Sequence, residues 1–163
     1  MSYQHHSCRW RLAVAAACLA GVALAPAPSS AQTEVGLRAG VSSGPDQFHF
    51  GGHVDSGPLF EQLSFRPNVE VGVGNGLTTV AVNFEFAYWI PVRARPFRVY
   101  AGGGPALNVF RRAAERFGVD STSTKPGFNL IGGIAHRGGF FAEAKLGLID
   151  SPEAKFTVGY AWR

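Results

Sequence analysis

The stretch "LTTVAVNFEFAYWI" (Leu77–Ile90) decides how this chain folds. Val80, Val82, Phe84, Phe86, Tyr88 and Ile90 occupy every second position, with Thr79, Ala81, Asn83, Glu85, Ala87 and Trp89 between them. A period of two belongs to a β-strand, whose successive side chains point to opposite faces. One face of this strand is apolar and aromatic. The other is small, polar or charged.

The pattern spreads in both directions. Residues 63–74 set Phe65, Val69, Val71 and Val73 against Arg66, Asn68, Glu70, Gly72 and Gly74. Residues 34–42 set Val35, Leu37, Ala39 and Val41 against Glu34, Gly36, Arg38 and Gly40, and residues 140–148 set Ala142, Ala144, Leu146 and Leu148 against Phe141, Glu143, Lys145 and Gly147. Further runs cover 47–55, 97–110, 127–136 and 154–163, which makes eight. The breaks between them, such as "SGPD", "GNG", "RGG" and "IDSPE", carry the Gly, Pro, Asn and Asp of turns. One break is longer, the polar segment 111–126. Pro67 and Pro105 lie inside runs and cannot donate to a ladder, so bulges or strand starts are expected there. An even number of short strands with short connections predicts an all-β chain, an eight-stranded antiparallel up-and-down barrel without exposed edges.

Periodicity does not say which face looks inward. In a soluble barrel the apolar face fills the centre, whereas in a transmembrane barrel it meets lipid and the polar face lines the lumen. Three features favour the transmembrane arrangement. Glycine recurs on the polar face (Gly36, Gly40, Gly72, Gly102, Gly133, Gly159), where it makes room for long neighbours in a centre only just wide enough for side chains. Charged residues are 16% of the chain, below the ~25% usual for soluble domains. Aromatic residues recur toward the ends of apolar faces, at Tyr88, Phe110, Tyr160 and Trp162, as in interfacial girdles. The expected lipid-facing aromatics are Phe84, Phe86, Tyr88, Phe156, Tyr160 and Trp162.

Ions left in a narrow lumen have to be paired, because an isolated charge there loses its hydration. Arg38, Arg66, Arg98, Lys145 and Lys155 are available to Glu70, Glu85 and Glu143, which predicts a salt-bridge network that plugs the centre. A solute-conducting pore would need a wider barrel.

At this point "FRPNVEVGVGNG", "YAGGGPALNVF", "GFNLIGGI", "FFAEAKLGLIDSPEAKFTVGY" and the closing strand "KFTVGYAWR" resemble the bacterial outer-membrane β-barrel domain family, the small opacity-porin-like eight-stranded barrels. The resemblance covers essentially all of residues 32–163. It implies a bacterial outer-membrane location and insertion by the barrel assembly machinery, which reads an aromatic-rich last strand. It also implies outer-membrane lipid and lipopolysaccharide as surroundings. The family usually finishes on an aromatic residue, whereas this chain has Trp162 followed by Arg163.

The first residues fit export. Arg9 and Arg11 precede the apolar run Leu12 to Ala25, and Ser29 and Ala31 stand at the −3 and −1 positions of a cleavage after Ala31. That is the layout of a secretory signal peptide over residues 1–31, leaving 32–163 as the barrel domain. Cys8 and Cys18 would leave with it, which excludes a disulfide scaffold. Arg9 and Arg11 also supply part of the net charge of +4, so a nucleic-acid partner is not implied.

Other chemistry finds little support. His49 and His53 share a strand face but stand about 13 Å apart at ~3.3 Å per residue, too far to hold one metal ion. His136 has no serine nearby to activate, with Ser42, Ser43 and Ser64 in turns or at strand ends. The glycines of "YAGGGPALN" lack the strand-to-helix setting of a phosphate loop. The reading is a monomeric outer-membrane barrel with no catalysis, cofactor or metal, and a structural or surface-interaction role. A soluble or periplasmic small-ligand barrel with reversed faces is one alternative. A surface adhesin acting through the 111–126 loop, whose basic start could also meet lipopolysaccharide phosphates, is another.

Overall fold

A computed structural model describes residues 33–74, 76–92, 95–112 and 121–162. The expected signal peptide, Arg163 and the centre of the 111–126 loop lie outside these residues. The strands are β1 (Glu34–Ser43), β2 (Gln47–Asp55), β3 (Pro58–Phe60), β4 (Leu63–Gly74), β5 (Leu77–Ile90), β6 (Phe97–Arg112), β7 (Ser121–His136), β8 (Phe140–Ile149) and β9 (Ala154–Trp162). All pairings are antiparallel and join consecutive strands, except that β2 pairs with β4 past the short β3 and β1 pairs with β9 to close the ring. The short β3 stands aside, so eight strands make the barrel. We call the end holding the start of β1 and the finish of β9 the lower end, and the other the upper end.

Closure between β2 and β4 depends on Pro67. That ladder runs from Phe48 opposite Val73 to His53 opposite Asn68, and stops one residue short of the proline. Beyond it, β3 takes over the free edge of β4, with Pro58 opposite Ser64 and Phe60 opposite Leu63. Pro105 sits in a gap of the β5–β6 ladder, which is paired at Asn83–Ala106 and again at Phe86–Gly103 in unchanged register. Neither proline starts a strand or shifts the register of its ladder with β5. Each falls where the missing N–H has no partner to lose.

The sequence alternation places β7 from residue 127, yet the strand begins at Ser121. Residues Ser121 to Pro126 pair with β6 from Arg112 to Leu107, so β7 extends beyond its ladder with β8, which ends at Phe128. Both faces of that extension are exposed and polar, which removes the hydrophobic alternation by which a strand is recognised.

Orientation is decided by exposure. Phe84 and Phe156 are 40% and 54% exposed, whereas Glu85 and Arg66 are 1% and 4% exposed. The apolar face is outside and the charged face is inside. Room for that interior comes from matching a large side chain with a glycine across the ladder: Tyr100 faces Gly133, and Phe141 faces Gly159. A Cβ on Gly133 would stand 2.5 Å from the Tyr100 ring, and one on Gly159 the same distance from Phe141.

Gly159→Val should therefore drive Phe141 out of place and destabilise the barrel by about 1–3 kcal/mol, as overpacking does. Gly132→Val, at an outward position with open space around it, should be nearly neutral. Urea titration of both variants in lipid bilayers checks the contrast.

Candidate functional site

The lumen is the one place where chemistry-bearing side chains gather among the described residues. Odd-numbered positions of β2, β5, β7, β8 and β9 and even-numbered positions of β1, β4 and β6 point inward along the middle of the barrel, as their burial shows, whereas Ile149 lies beyond a register shift in the β7–β8 ladder and is exposed. Arg38, Asp55, Arg66, Glu70, Glu85, Glu143, Lys145 and Lys155 are all buried on that face. The cations and carboxylates are equal in number, so the group is neutral overall.

Glu70 is the hub. Its Oε1 accepts from Arg38 Nη1 at 2.9 Å and from Lys145 Nζ at 3.0 Å, and its Oε2 accepts from Lys155 Nζ at 2.8 Å. Glu143 is a second hub lower down. It accepts from Arg38 at 3.3 Å, from Arg66 at 3.3 Å and from the Tyr100 hydroxyl at 2.7 Å. Lys145 also meets Glu85 at 2.8 Å. Arg38 and Lys145 thus tie the hubs together.

An amide relay crosses the floor of the sheet. Asn129 donates to Asn83 at 2.9 Å, Asn83 to Asn68 at 2.7 Å, and Asn68 to Glu85 at 2.7 Å. It joins β7, β5 and β4 without a net charge.

The lower lumen is filled by stacking. The Arg66 guanidinium lies 4.6 Å from the Tyr100 ring centroid, Tyr100 lies 4.9 Å from Trp89, and Arg98 lies 4.2 Å over Trp89. Such cation–π contacts suit a desolvated site. Trp89 Nε1 donates to Ser64 Oγ at 3.1 Å, and Ser64 donates in turn to Asp55 at 3.3 Å. Asp55 also stands 3.2 Å from Arg66.

Arg98 is not a member of the buried network. Its side chain is 40% exposed at the lower rim, 3.7 Å from Glu34. As the second residue of β6 it is too near the open end to be enclosed. Phe110 also departs from expectation. It follows Tyr100 and Asn108 on the inward side of β6 and lines a mouth cavity of about 400 Å³ at the upper end, with Leu77, Arg112 and Ser123. The remaining lipid-facing candidates do lie outward. Phe84, Phe86, Tyr88, Phe156 and Trp162 are exposed, and Tyr160 packs between Phe140 at 4.9 Å and Trp162 at 5.1 Å. Among the described residues, Tyr and Trp on the outer face occur only toward the lower end.

Asp55 is the buried ion that the sequence reading passed over. Gln47, His49, His53 and Asp55 share one side of β2, so the signal was the same alternation read one strand earlier. His49 contacts Thr157 Oγ1 at 3.0 Å, while His53 packs edge-on to Phe141 at 5.1 Å. His136 lies elsewhere, accepting from the Gly138 N–H at 3.0 Å in the lower turn. No group of three or more metal-ligating side chains occurs among the described residues.

With this geometry in view, known structures supply the comparison. The N-terminal β-barrel domain of Pseudomonas aeruginosa OprF superposes with a TM-score of 0.61 at 14% identity, covering 80% of this chain and 96% of that one. This chain has the fold of the small eight-stranded outer-membrane barrels. Neisserial surface protein A (NspA) is a second example, with a TM-score of 0.57 at 12% identity over 79% of this chain and 91% of that one. No family model matches the sequence, and no curated protein matches it. At such identities the agreement is one of fold.

Glu70→Gln should strand Lys155, which meets no other carboxylate among the described residues. A loss of about 3–5 kcal/mol is expected, because a buried charge is left unpaired. The double change Glu70→Gln with Lys155→Met should recover part of it. Urea unfolding of the four members of this double-mutant cycle gives the coupling directly.

Proposed function

We propose that the chain is an outer-membrane barrel protein whose lumen is closed by its own side chains, with a structural or surface-interaction role and no catalysis. The observation that carries this is the outer face. From Val35 to Val41, Phe48 to Val54, Val80 to Ile90 and Phe156 to Trp162, every outward position is uncharged. A surface of this kind is unfavourable in water and matched to acyl chains.

The lengths agree. A ten-residue strand such as β1 rises about 33 Å at ~3.3 Å per residue, and about 25 Å along the membrane normal when tilted near 40°. The OprF and NspA barrels support the bacterial outer membrane as the location. Export by the 1–31 signal, insertion by the barrel assembly machinery through the closing strand, lipopolysaccharide as a neighbour and a monomeric state complete the proposal.

The interior favours closure over conduction. The ions are cross-linked through two carboxylate hubs, and Trp89, Tyr100 and Phe141 fill the lower half. Moving a solute through would require breaking several of these contacts together.

Cell fractionation and gel mobility test the reading. The protein is expected in the detergent-extracted envelope, with different mobility before and after boiling, and without porin-sized conductance steps in planar bilayers. Recovery as a detergent-free periplasmic monomer would overturn it. Phe84→Arg places a charge near the middle of the outer face and should cost about 2–4 kcal/mol of stability in bilayers. Phe84→Leu should be close to wild type.

A further inference from the structure

The mouth cavity at the upper end is walled by inward side chains of three adjacent strands. Leu77, Arg112 and Ser121 stand side by side across β5, β6 and β7, with Phe110 and Ser123 paired in the row beneath. All five line the cavity of about 400 Å³, and the β1–β2 and β8–β9 turns complete it. One row lower, Asn108 of β6 faces Lys125 of β7.

The β8–β9 turn is pinned to that wall. Asn108 donates to the Asp150 carbonyl at 2.9 Å and to Ser151 Oγ at 3.2 Å, and Lys125 Nζ stands 2.8 Å from Asp150 Oδ1. The cup is therefore set before anything enters it, and little ordering is left to oppose binding.

Its chemistry selects a ligand. Lys125 is taken up by Asp150, whereas Arg112 meets no carboxylate among the described residues. One free guanidinium fork matches one carboxylate in bidentate fashion. A phosphomonoester, with a charge approaching −2, would be only half matched. Ser121, Ser123 and Ser151 line the same cavity, and each hydroxyl both donates and accepts, as the hydroxyls of a sugar do. Phe110 supplies one flat apolar surface for the C–H face of a pyranose. A fatty acid would bring its tail into a cup lined mostly by serines and ions. The volume lies within the ~300–1,000 Å³ of small-molecule pockets.

We propose that this cup binds a hexuronate, a pyranose carrying one carboxylate. The carboxylate pairs with Arg112, the ring lies against Phe110, and its hydroxyls meet the three serines. The inference rests on the closed-lumen membrane reading above. The packed ions beneath give the ligand a floor, and the upper end, which holds the longest connection between barrel strands, faces the medium.

The test is isothermal titration of the envelope-extracted protein in phosphatidylcholine nanodiscs with glucuronate, its methyl ester, glucose and acetate. Glucuronate should bind about tenfold tighter than the ester or glucose, the scale of one charge-assisted bond. Acetate, which lacks the ring, should be as weak as they are. Arg112→Ala should bring glucuronate down to the level of glucose and leave glucose unchanged. Phe110→Ala should weaken both sugars, and Ser121→Ala with Ser123→Ala should weaken both by a smaller factor. Boiling-dependent gel mobility confirms that each variant is folded. Equal binding of glucuronate and glucose, no saturable glucuronate binding, or wild-type affinity in Arg112→Ala would each overturn the proposal. Liposome swelling separates the two readings. Passage of glucuronate through the protein removes the closed-lumen reading and this one together, whereas sealed liposomes without charge preference in the titration remove this one alone.

Discussion

An eight-stranded barrel has a centre so narrow that no buried ion in it can keep its own shell of water. Every charge placed there must find a partner on another strand, and every long side chain must find a place where a neighbour is small. The rest of the structure follows from those two demands. Glu70 and Glu143 each gather cations from different strands, and Arg38 is shared between them. Glycines stand opposite Tyr100 and Phe141 because a side chain there would occupy the ring's space. The result is a neutral, densely bonded interior in which, among the described residues, Lys155 depends on Glu70 and Asp55 on Arg66 for an ion partner.

The outer surface answers to a different solvent. Lipid supplies no hydrogen bonds, so closure of the ladder is the way the backbone is satisfied, and the β1–β9 pairing provides it. Pro67 and Pro105 show how closely this is observed, since each coincides with a break in one neighbouring ladder. The outer face carries Tyr88, Phe97, Phe140 and Trp162 toward the lower end, and phenylalanines such as Phe48 and Phe156 among aliphatic residues toward the upper one.

Most of the architecture was legible from residue order. Strands β2, β4 and β5 have the limits that alternation and turn residues assign them. The exceptions have physical causes. Residues 121–126 form a strand although they carry no apolar face, because they pair along the upper part of β6, from Leu107 to Arg112. Asp55 was passed over because it ends its strand beside a turn, where a carboxylate is ordinarily solvated. Arg98 was placed with the buried ions because parity gives the face of a residue but not its depth, and the second residue of a strand stays near the rim. Phe110 was assigned to the lipid side because aromatic identity outweighed its position two residues after Asn108.

Residue order by itself determined that this chain makes an even set of alternating strands, which residues share a side, and that one side holds nearly all the charge. Those are local properties, set by the two-residue repeat of an extended backbone. Only the tertiary structure decided which carboxylate meets which cation and where the ring stacks close the lower lumen. Partners such as Arg38 and Glu143 lie 105 residues apart. Their meeting depends on ladder register summed around the barrel, and that sum exists only once the ring has closed.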